Sequence, residues 1–219
     1  MSELQNELPN PPRDGITAVR FGDAHTLLVS SWDSTLRVYD LRAAGATHAK
    51  LLQPTPLLDC DFLSGEPQQA LSGGVDHAVR LHSLGSGSTS STVLGHHSNS
   101  VRCVRSCAAI RAVVSGSWDH SLKLWDVRKM SRQPVDAIRN AYLNGAPSFD
   151  YRFQAHAGLP RIHPNDNSIM TYTGHSVLQT LVRCSFSPRE TTGQRYIVTG
   201  SYDGVVYMYD VLTGNIVRR

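Results

Sequence analysis

The strongest constraint on the fold of this 219-residue chain is a pattern that recurs four times along it. In each copy, apolar and small residues lead into an aspartate, and alternating apolar and polar residues follow it. The copies cover residues 28–40, 71–83, 114–126 and 198–210. Their aspartates are 43, 43 and 84 residues apart, and the last interval is about two periods. Repetition at this period is typical of chains built from stacked structural units.

Each copy predicts a β-hairpin. An aspartate beside glycine or serine favours a tight turn, because its carboxylate accepts hydrogen bonds from nearby backbone amides. After the third turn, Leu122 and Leu124 alternate with polar residues, which is the period of a strand with one buried face. Apolar residues make up 40% of the chain, so it can bury a core. The sequence therefore predicts an all-β array and disfavours helical bundles and βαβ enzymes.

Charge and composition exclude several classes of function. The 21 basic and 18 acidic side chains leave a net charge of +3, without the clustered Lys and Arg of a nucleic-acid surface. No apolar run approaches the roughly 20 residues of a membrane span, and the polar segment 1–13 does not have the pattern of a signal peptide. We therefore expect a cytosolic or nuclear chain whose four cysteines are reduced thiols. The spacing of the cysteines and histidines contains no metal or cofactor motif.

Two pairs of dipeptides carry a family resemblance. Gly95-His96 precedes Trp125-Asp126, and Gly174-His175 precedes Tyr209-Asp210. Together with the 43-residue period, these residues resemble the WD-repeat β-propeller family. The resemblance implies an all-β, partial propeller of four recognisable four-stranded blades, five at most, in a ring that is not closed. It divides the chain into a polar N-terminal arm (1–13), three blades (14–128), a long loop or degenerate blade (129–171) and a fourth, truncated blade (172–219).

In this family, a His, a Ser or Thr, an Asp and a Trp of one repeat form a buried hydrogen-bonded network. Carried over to the third repeat, the network consists of His96, Ser115, Asp119 and Trp125. In the fourth repeat it consists of His175, Thr199, Asp203 and Tyr209. The first two repeats have Tyr39 and His82 in place of the Trp, so we expect them to depend more on apolar packing.

The same residue types also suggest a hydrolase triad, which is a different class of function. A catalytic nucleophile needs exposure and a neighbouring oxyanion hole, whereas a repeated network of this kind is buried and satisfies its own hydrogen bonds. The chain also contains no GxSxG, HExxH or P-loop pattern. We therefore expect the protein not to be an enzyme.

Two narrower resemblances divide the chain. Residues 8–128, with Trp32-Asp33 and Trp118-Asp119, resemble the mitotic-checkpoint WD-repeat proteins that partner the Bub kinases. Residues 126–217, with the segments 179–184 and 186–194, resemble WD-repeat substrate receptors of cullin-4 ubiquitin ligases. The seam lies near residues 125–130, so the alternatives are a genuine fusion, a rearranged gene or a faulty gene model.

One candidate binding surface surrounds the turn aspartates. Trp32 and Trp118 directly precede this aspartate on one rim, conventionally the top, where Val75 and Tyr202 hold the equivalent places. Exposed aromatic residues are typical anchors for protein partners. The resemblance implies that the two tryptophans grip a peptide motif of Bub-type kinases, and Tyr202 joins them as a candidate. The alternative is that each ring only packs on its neighbouring loop.

A second candidate surface lies at the other end of the same hairpins. Arg42 and Arg128 stand two residues after the aspartates that close the first and third repeats, and this places them on the bottom face. A guanidinium suits carboxylate and backbone acceptors across an interface. The resemblance implies that these arginines dock on the cullin-4 adaptor. The alternative is a local salt bridge to Asp40 or Asp126, which contributes little energy.

The leading functional hypothesis is a spindle-checkpoint, kinetochore-type adaptor that binds peptide motifs on its top face. Such a protein is expected in the nucleus, at the kinetochore in mitosis, and also in the cytoplasm. The alternative is substrate recognition for a cullin-4 ubiquitin ligase. Because an open arc of blades leaves two blade faces uncovered, we also expect the isolated chain to self-associate, dock on a partner or aggregate.

Overall fold

The computed structural model describes residues 8–43, 46–85, 89–128, 166–177 and 182–218. Strand accounts for 53% of the structure, and the strands form four four-stranded antiparallel sheets. Within the described ranges, none of these sheets closes on itself, and strands that follow one another along the chain are neighbours in the sheet. The predicted all-β fold with four four-stranded blades is therefore confirmed.

The sheets are numbered here as blades 1 to 4 in chain order. Blade 1 contains β1 (Ile16–Phe21), β2 (Thr26–Ser31), β3 (Thr35–Asp40) and β4 (Ala46–Leu52). Blade 2 contains β5 (Leu57–Leu63), β6 (Glu66–Gly74), β7 (Ala78–Ser83) and β8 (Ser90–His96). Blade 3 contains β9 (Val101–Cys107), β10 (Ala112–Ser117), β11 (Leu122–Asp126) and β12 (Met170–Tyr172). Blade 4 contains β13 (Cys184–Phe186), β14 (Tyr196–Thr199), β15 (Tyr207–Asp210) and β16 (Ile216–Arg218).

Helical structure is limited to two short segments of the described chain. A 3-10 turn covers Leu41–Ala43, and the helix α1 covers Arg189–Thr192. Helix α1 ends at Gly193, which adopts the left-handed conformation with φ of 62° and donates its amide to the Arg189 carbonyl. No helix among the described residues has the length and apolar character needed to cross a membrane.

The same turn joins the second and third strands of every blade. One carboxylate oxygen of the turn aspartate accepts the amide two residues later, at 3.0, 3.4, 3.0 and 3.0 Å in blades 1 to 4. The residue between them has a positive φ, of 64°, 69°, 63° and 79°. These four residues are Ser34, His77, His120 and Gly204. The carboxylate thus holds the backbone in a conformation that non-glycine residues seldom adopt unaided.

Blade 3 takes its fourth strand from a distant part of the sequence. In β12, Met170 pairs with Leu124 and Tyr172 pairs with Leu122 of β11. The domain boundary that the sequence predicts between residues 171 and 172 therefore falls inside a strand of blade 3. Residues 129–165 lie outside the described part of the chain, so the choice between a long loop and a degenerate blade stays a prediction.

Successive blades pack through one repeated contact. The forward face of a blade, which is the face that covers the next blade, carries apolar residues five positions before and three and five positions after the turn aspartate. In blades 1 to 3 these residues are buried in three apolar clusters. They are Leu28, Leu36 and Val38, then Leu71, Val79 and Leu81, then Val114, Leu122 and Leu124. Each Å² of apolar surface that these contacts remove from water stabilises the stack by about 25 cal/mol.

The two ends of the arc differ. On the outer face of blade 1, Leu8 packs against a cluster that contains Leu27, Val29 and Tyr39. The Tyr39 hydroxyl donates to the Asn10 carbonyl at 3.1 Å, and the Arg13 amide donates to Asp33 at 2.9 Å. The predicted N-terminal arm therefore covers part of the face that was expected to be bare. The expectation of two uncovered faces therefore holds only in part at this end of the arc.

The forward face of blade 4 is the open end. Val198, Val206 and Met208 occupy the positions that are buried in blades 1 to 3. Here Val206 is 59% exposed, and Val198 and Met208 are only half-buried. Within the described residues no sheet packs on this face. An apolar sheet face with the composition of a blade contact is thus exposed to water.

We expect this face to drive self-association of the isolated chain. Val206→Glu places a charge in an apolar contact and should reduce the apparent mass toward the 24.0 kDa of the monomer. Leu212→Glu is the matched control, because Leu212 is also strongly exposed but lies in the loop after β15. Gel filtration with light scattering decides. A wild-type chain that elutes as a sharp 24.0 kDa monomer would contradict the expectation.

Candidate interaction surfaces

The polar network of blade 3 is built on His97. The His97 ring lies 2.9 Å from Asp119 Oδ2 through Nδ1 and 2.7 Å from Ser115 Oγ through Nε2. Trp125 Nε1 donates to the same Ser115 oxygen at 2.7 Å. The His, Ser, Asp and Trp of the predicted network are thus brought together, but the assignment of His96 is wrong.

The pairing of β8, the last strand of blade 2, explains why His97 and not His96 joins the network of blade 3. His96 is the last residue of β8 and pairs with Ala78, so it belongs to blade 2, where it helps to lower the pKa of Asp76. His97 follows the strand and is free to turn toward blade 3. The Gly-His dipeptide cannot distinguish two adjacent histidines, because strand register decides which of them leaves the sheet.

Asp119 is stabilised as a carboxylate despite its burial. Burial by itself raises its pKa, but the charge and hydrogen bond of His97, together with bonds from Ser121 and the Ser98 amide, outweigh it. The net result is a pKa well below the usual 3.8. The Asp119 carboxylate therefore accepts hydrogen bonds from both the turn and the network, which supports a structural role for these residues.

Blades 1 and 2 replace this network with buried ion pairs. Arg37 donates to Asp33 at 3.2 Å, and Arg80 donates to Asp76 at 3.0 Å, four residues after the aspartate in each case. His82 of blade 2 stands in the Trp position and bonds Ser72 at 2.8 Å. Blades 1 and 2, which we expect to depend more on apolar packing, thus also have polar links at their turn aspartates. The sequence signal for these ion pairs, which our sequence analysis missed, is the Arg four residues after the turn aspartate in blades 1 and 2.

Blade 4 forms only part of its predicted network. His175 Nδ1 lies 3.1 Å from the Tyr209 hydroxyl, whereas in blade 3 the His and the aromatic residue are joined through Ser115. Thr199 instead donates to the Gly200 carbonyl at 3.1 Å, and Asp203 accepts from the Tyr207 hydroxyl at 2.9 Å. The four residues His175, Thr199, Asp203 and Tyr209 are therefore not joined into one chain of hydrogen bonds.

The top rim is defined here by the four residues that precede the turn aspartates. Each donates its backbone amide to the loop before the first strand of its own blade, at 3.0, 3.1, 3.1 and 2.8 Å. The four donors are Trp32, Val75, Trp118 and Tyr202, and the acceptors are the carbonyls of Gly15, Pro56, Ser100 and Ser176. In blades 1 to 3 the acceptor directly precedes the first strand, so Trp32, Val75 and Trp118 are equivalent in space as well as in sequence, whereas Ser176 lies further before the first strand of blade 4. Three of the four carry an aromatic ring on the same rim.

The three aromatic residues differ in exposure. Trp32 is 37% exposed and Tyr202 is 56% exposed, whereas Trp118 is half-buried. A Cβ at Gly15 would lie 3.5 Å from the ring of Trp32, so this ring rests on the loop that its own amide binds. Packing on the loop and partial exposure therefore occur together at Trp32. Such a ring is held in place while one side stays available.

The bottom rim is defined by the aspartates that close blades 1, 3 and 4 and by their arginines. Arg42 donates two side-chain hydrogen bonds to Asp40, of 3.0 and 2.8 Å, and Arg128 donates two to Asp126, both of 2.9 Å. The hydrogen bonds from Arg42 lower the pKa of Asp40 to about 2. Both arginine side chains remain about two-thirds exposed, at 67% and 69%. The local salt bridge exists, and it fixes the direction of each guanidinium without covering it.

In blade 4 the closing aspartate, Asp210, accepts a hydrogen bond from an arginine at another position. Leu212 stands where blades 1 and 3 have arginine, and Arg195 donates to Asp210 at 2.8 Å from the start of the hairpin. The sequence pattern of an Arg two residues after the aspartate could not reveal Arg195.

Among the residues that the structure describes, no group of three or more His, Cys, Asp or Glu side chains could hold a metal ion.

The buried His82 predicts a pH dependence of stability. Burial and the charge of Arg80 lower the pKa of His82 from 6.5 to about 3, so the folded chain keeps this ring neutral. The unfolded chain binds the proton more tightly between these values, and stability should fall as pH falls from about 6.5 toward 3. His82→Gln should flatten this decline in thermal melts, whereas the exposed His25→Gln should not. Parallel curves for wild type and His82→Gln would contradict the role of His82.

Comparisons with known proteins agree with this architecture. The family model described as WD domain, G-beta repeat, matches residues 2–40, 87–126 and 166–210, which is more than half of the chain. A LEC14B homolog from Prunus armeniaca is 36% identical over 216 residues, covering 94% of this chain and 44% of the relative. The LEC14B protein from Lithospermum erythrorhizon is 32% identical over 208 residues, covering 92% and 43%.

The extent of these matches bears on the two narrower resemblances. The chain spans less than half the length of either relative. An alignment over 94% of the chain runs through residues 125–130, so one relative accounts for both sides of the expected seam. The comparisons confirm neither the checkpoint resemblance nor the ligase-receptor resemblance. With the family model matched over three segments and four blades in the structure, the chain belongs to the WD-repeat family.

Proposed function

We propose that this chain is a protein-interaction scaffold whose top rim binds short peptide motifs of other proteins. The observation that carries the proposal is that Trp32, Trp118 and Tyr202 all directly precede a turn aspartate, and that the backbone of each is fixed by its own hydrogen bond. A ring that is held in place loses little conformational freedom on binding, which favours aromatic residues as anchors. The WD repeats themselves support a scaffold, since such domains mediate protein–protein interactions.

The finer proposal concerns the partner. The two tryptophans match the positions at which checkpoint WD-repeat proteins grip a motif of the Bub-type kinases. On this basis the protein acts as a spindle-checkpoint adaptor, in the nucleus, at the kinetochore during mitosis, and also in the cytoplasm. It is not an enzyme in this proposal, because the His, Ser and Asp groups of blade 3 are buried and engaged with one another.

Removing the top-rim rings should abolish binding of the peptide motif. We expect the double change Trp32→Ala and Trp118→Ala to cost about 2–4 kcal/mol of binding free energy per ring. Val75→Ala is the matched control, because Val75 has the same rim position without an aromatic ring. Calorimetric titration with a kinase-motif peptide measures the effect, and a thermal melt verifies folding. Unchanged affinity in the folded double variant would refute top-rim binding.

The bottom rim supports a second candidate function, substrate recognition for a cullin-4 ubiquitin ligase. Arg42 and Arg128 project from two blades with the same bidentate geometry, and this repetition is the observation that favours it. A guanidinium oriented by a carboxylate can still donate its remaining N–H groups across an interface. Such a receptor needs two separate surfaces, one for the adaptor and one for the substrate. The bottom and top rims lie at opposite ends of the same strands and would serve these two roles.

If the bottom rim docks on the ligase adaptor, Arg128→Ala should weaken adaptor capture while leaving peptide binding at the top rim unchanged. Arg128→Asp should weaken capture further, because it places two carboxylates side by side. Arg195→Ala is the matched control: Arg195 also pairs with a closing aspartate and is exposed, but it lacks the position of Arg128. Affinity capture followed by immunoblotting for the adaptor provides the measurement. A wild-type chain that captures no adaptor would end this second proposal.

A further inference from the structure

At each junction between blades, the first strands of the two blades are in contact. In each, a residue on the first strand of one blade faces the first strand of the next. The Cys60 thiol points to the Ala18 carbonyl at 3.9 Å, between blades 1 and 2. The Asp59 carboxylate accepts the Val104 amide at 3.1 Å, between blades 2 and 3. The third junction places two cysteines in this contact.

Cys103 of blade 3 and Cys184 of blade 4 meet across that third junction. Their sulfur atoms are 2.8 Å apart, and Cys103 Sγ also accepts the Cys184 amide at 3.2 Å. Both residues are buried. A Cβ at Gly116 would lie 2.8 Å from Cys103 Sγ, so the glycine at this place in β10 makes room for the sulfur beside Cys184. The two thiols are therefore held together by the stacking of the blades.

We propose that Cys103 and Cys184 are a redox-modification site, at which a peroxide oxidises the two thiols to a reversible disulfide that links blade 3 to blade 4. A disulfide needs a sulfur separation of about 2.05 Å, so closing the gap requires a movement of less than about 1 Å. At the other two junctions the first strands meet through a thiol facing a carbonyl and a carboxylate facing an amide. Of these three contacts, only that of Cys103 with Cys184 places two sulfur atoms together.

The chemistry balances with hydrogen peroxide as the oxidant. The Cys103 thiolate attacks one peroxide oxygen, the O–O bond breaks, and Cys103 becomes a sulfenic acid while the leaving hydroxide takes a proton to form water. The Cys184 sulfur then attacks the Cys103 sulfur and displaces the hydroxyl group, which leaves as water with the Cys184 proton. In total, two thiols and one peroxide give one disulfide and two waters.

The surroundings assign the first step to Cys103. A hydrogen bond from the Cys184 thiol lowers the pKa of Cys103, and the same bond raises the pKa of Cys184. The amide of Cys184 supports a negative charge on Cys103 as an amide supports the carboxylate of Asp59 at the preceding junction. Burial raises the pKa of Cys60 to about 12, so this thiol is a poor competitor for the oxidant.

The test treats the full chain with hydrogen peroxide and then unfolds and alkylates it. We expect two of the four cysteines to resist alkylation, and peptide mapping to find one link between Cys103 and Cys184. Dithiothreitol should restore all four thiols. Because the link closes a loop of 81 residues, the oxidised chain should melt roughly 10 °C higher than the reduced chain.

Two sets of variants make the result specific. Cys103→Ser and Cys184→Ser should each abolish the link and the rise in melting temperature. The double variant Cys60→Ser with Cys107→Ser should retain both, and it carries the test if a single variant of the pair does not fold. Four alkylated cysteines after peroxide treatment of the wild-type chain would overturn the proposal. A link that involves Cys60, Cys107 or a second molecule would overturn it as well.

Discussion

The fold of this chain depends on one carboxylate in each blade. The turn aspartate uses one oxygen to accept the amide two residues later, and this bond holds the intervening residue at a positive φ. Its second oxygen binds a side chain from the strand beyond the turn or from an adjacent loop. The carboxylate therefore joins the local geometry of a hairpin to its attachment within the blade. The stacking of four blades, and with it both rims, follows from that geometry.

The partner of the second oxygen changes from blade to blade. It is Arg37 in blade 1, Arg80 in blade 2, His97 in blade 3 and Tyr207 in blade 4. In blade 3 the residue four after the aspartate is Lys123, which turns to Asp166 and the His96 carbonyl, so His97 takes its place. Each arrangement provides the carboxylate with a donor, and in blades 2 and 3, where Asp76 and Asp119 are buried, a carboxylate without one would be costly. One hairpin geometry thus accommodates three chemically different solutions.

Local features were predictable from the sequence, and long-range ones were not. The hairpins and the shared rim position of Trp32, Val75, Trp118 and Tyr202 follow from spacing relative to the aspartates, because strand period and turn geometry are local. The choice of His97 over His96 depends on the register of β8, and the pairing of β12 with β11 joins residues more than 40 positions apart. The cover of the N-terminal arm over blade 1 likewise depends on tertiary contacts. A pattern of residue types contains no measure of such contacts.

Whether Asp119 anchors blade 3 through His97 can be measured by a double-mutant cycle on the free energy of unfolding. The single variants Asp119→Ala and His97→Ala and their combination give the coupling energy, and the same cycle with His96→Ala is the reference. The account predicts a coupling of about 1–3 kcal/mol for Asp119 with His97, and less than about 0.5 kcal/mol for Asp119 with His96. A negligible coupling with His97, or a larger coupling with His96, would contradict it.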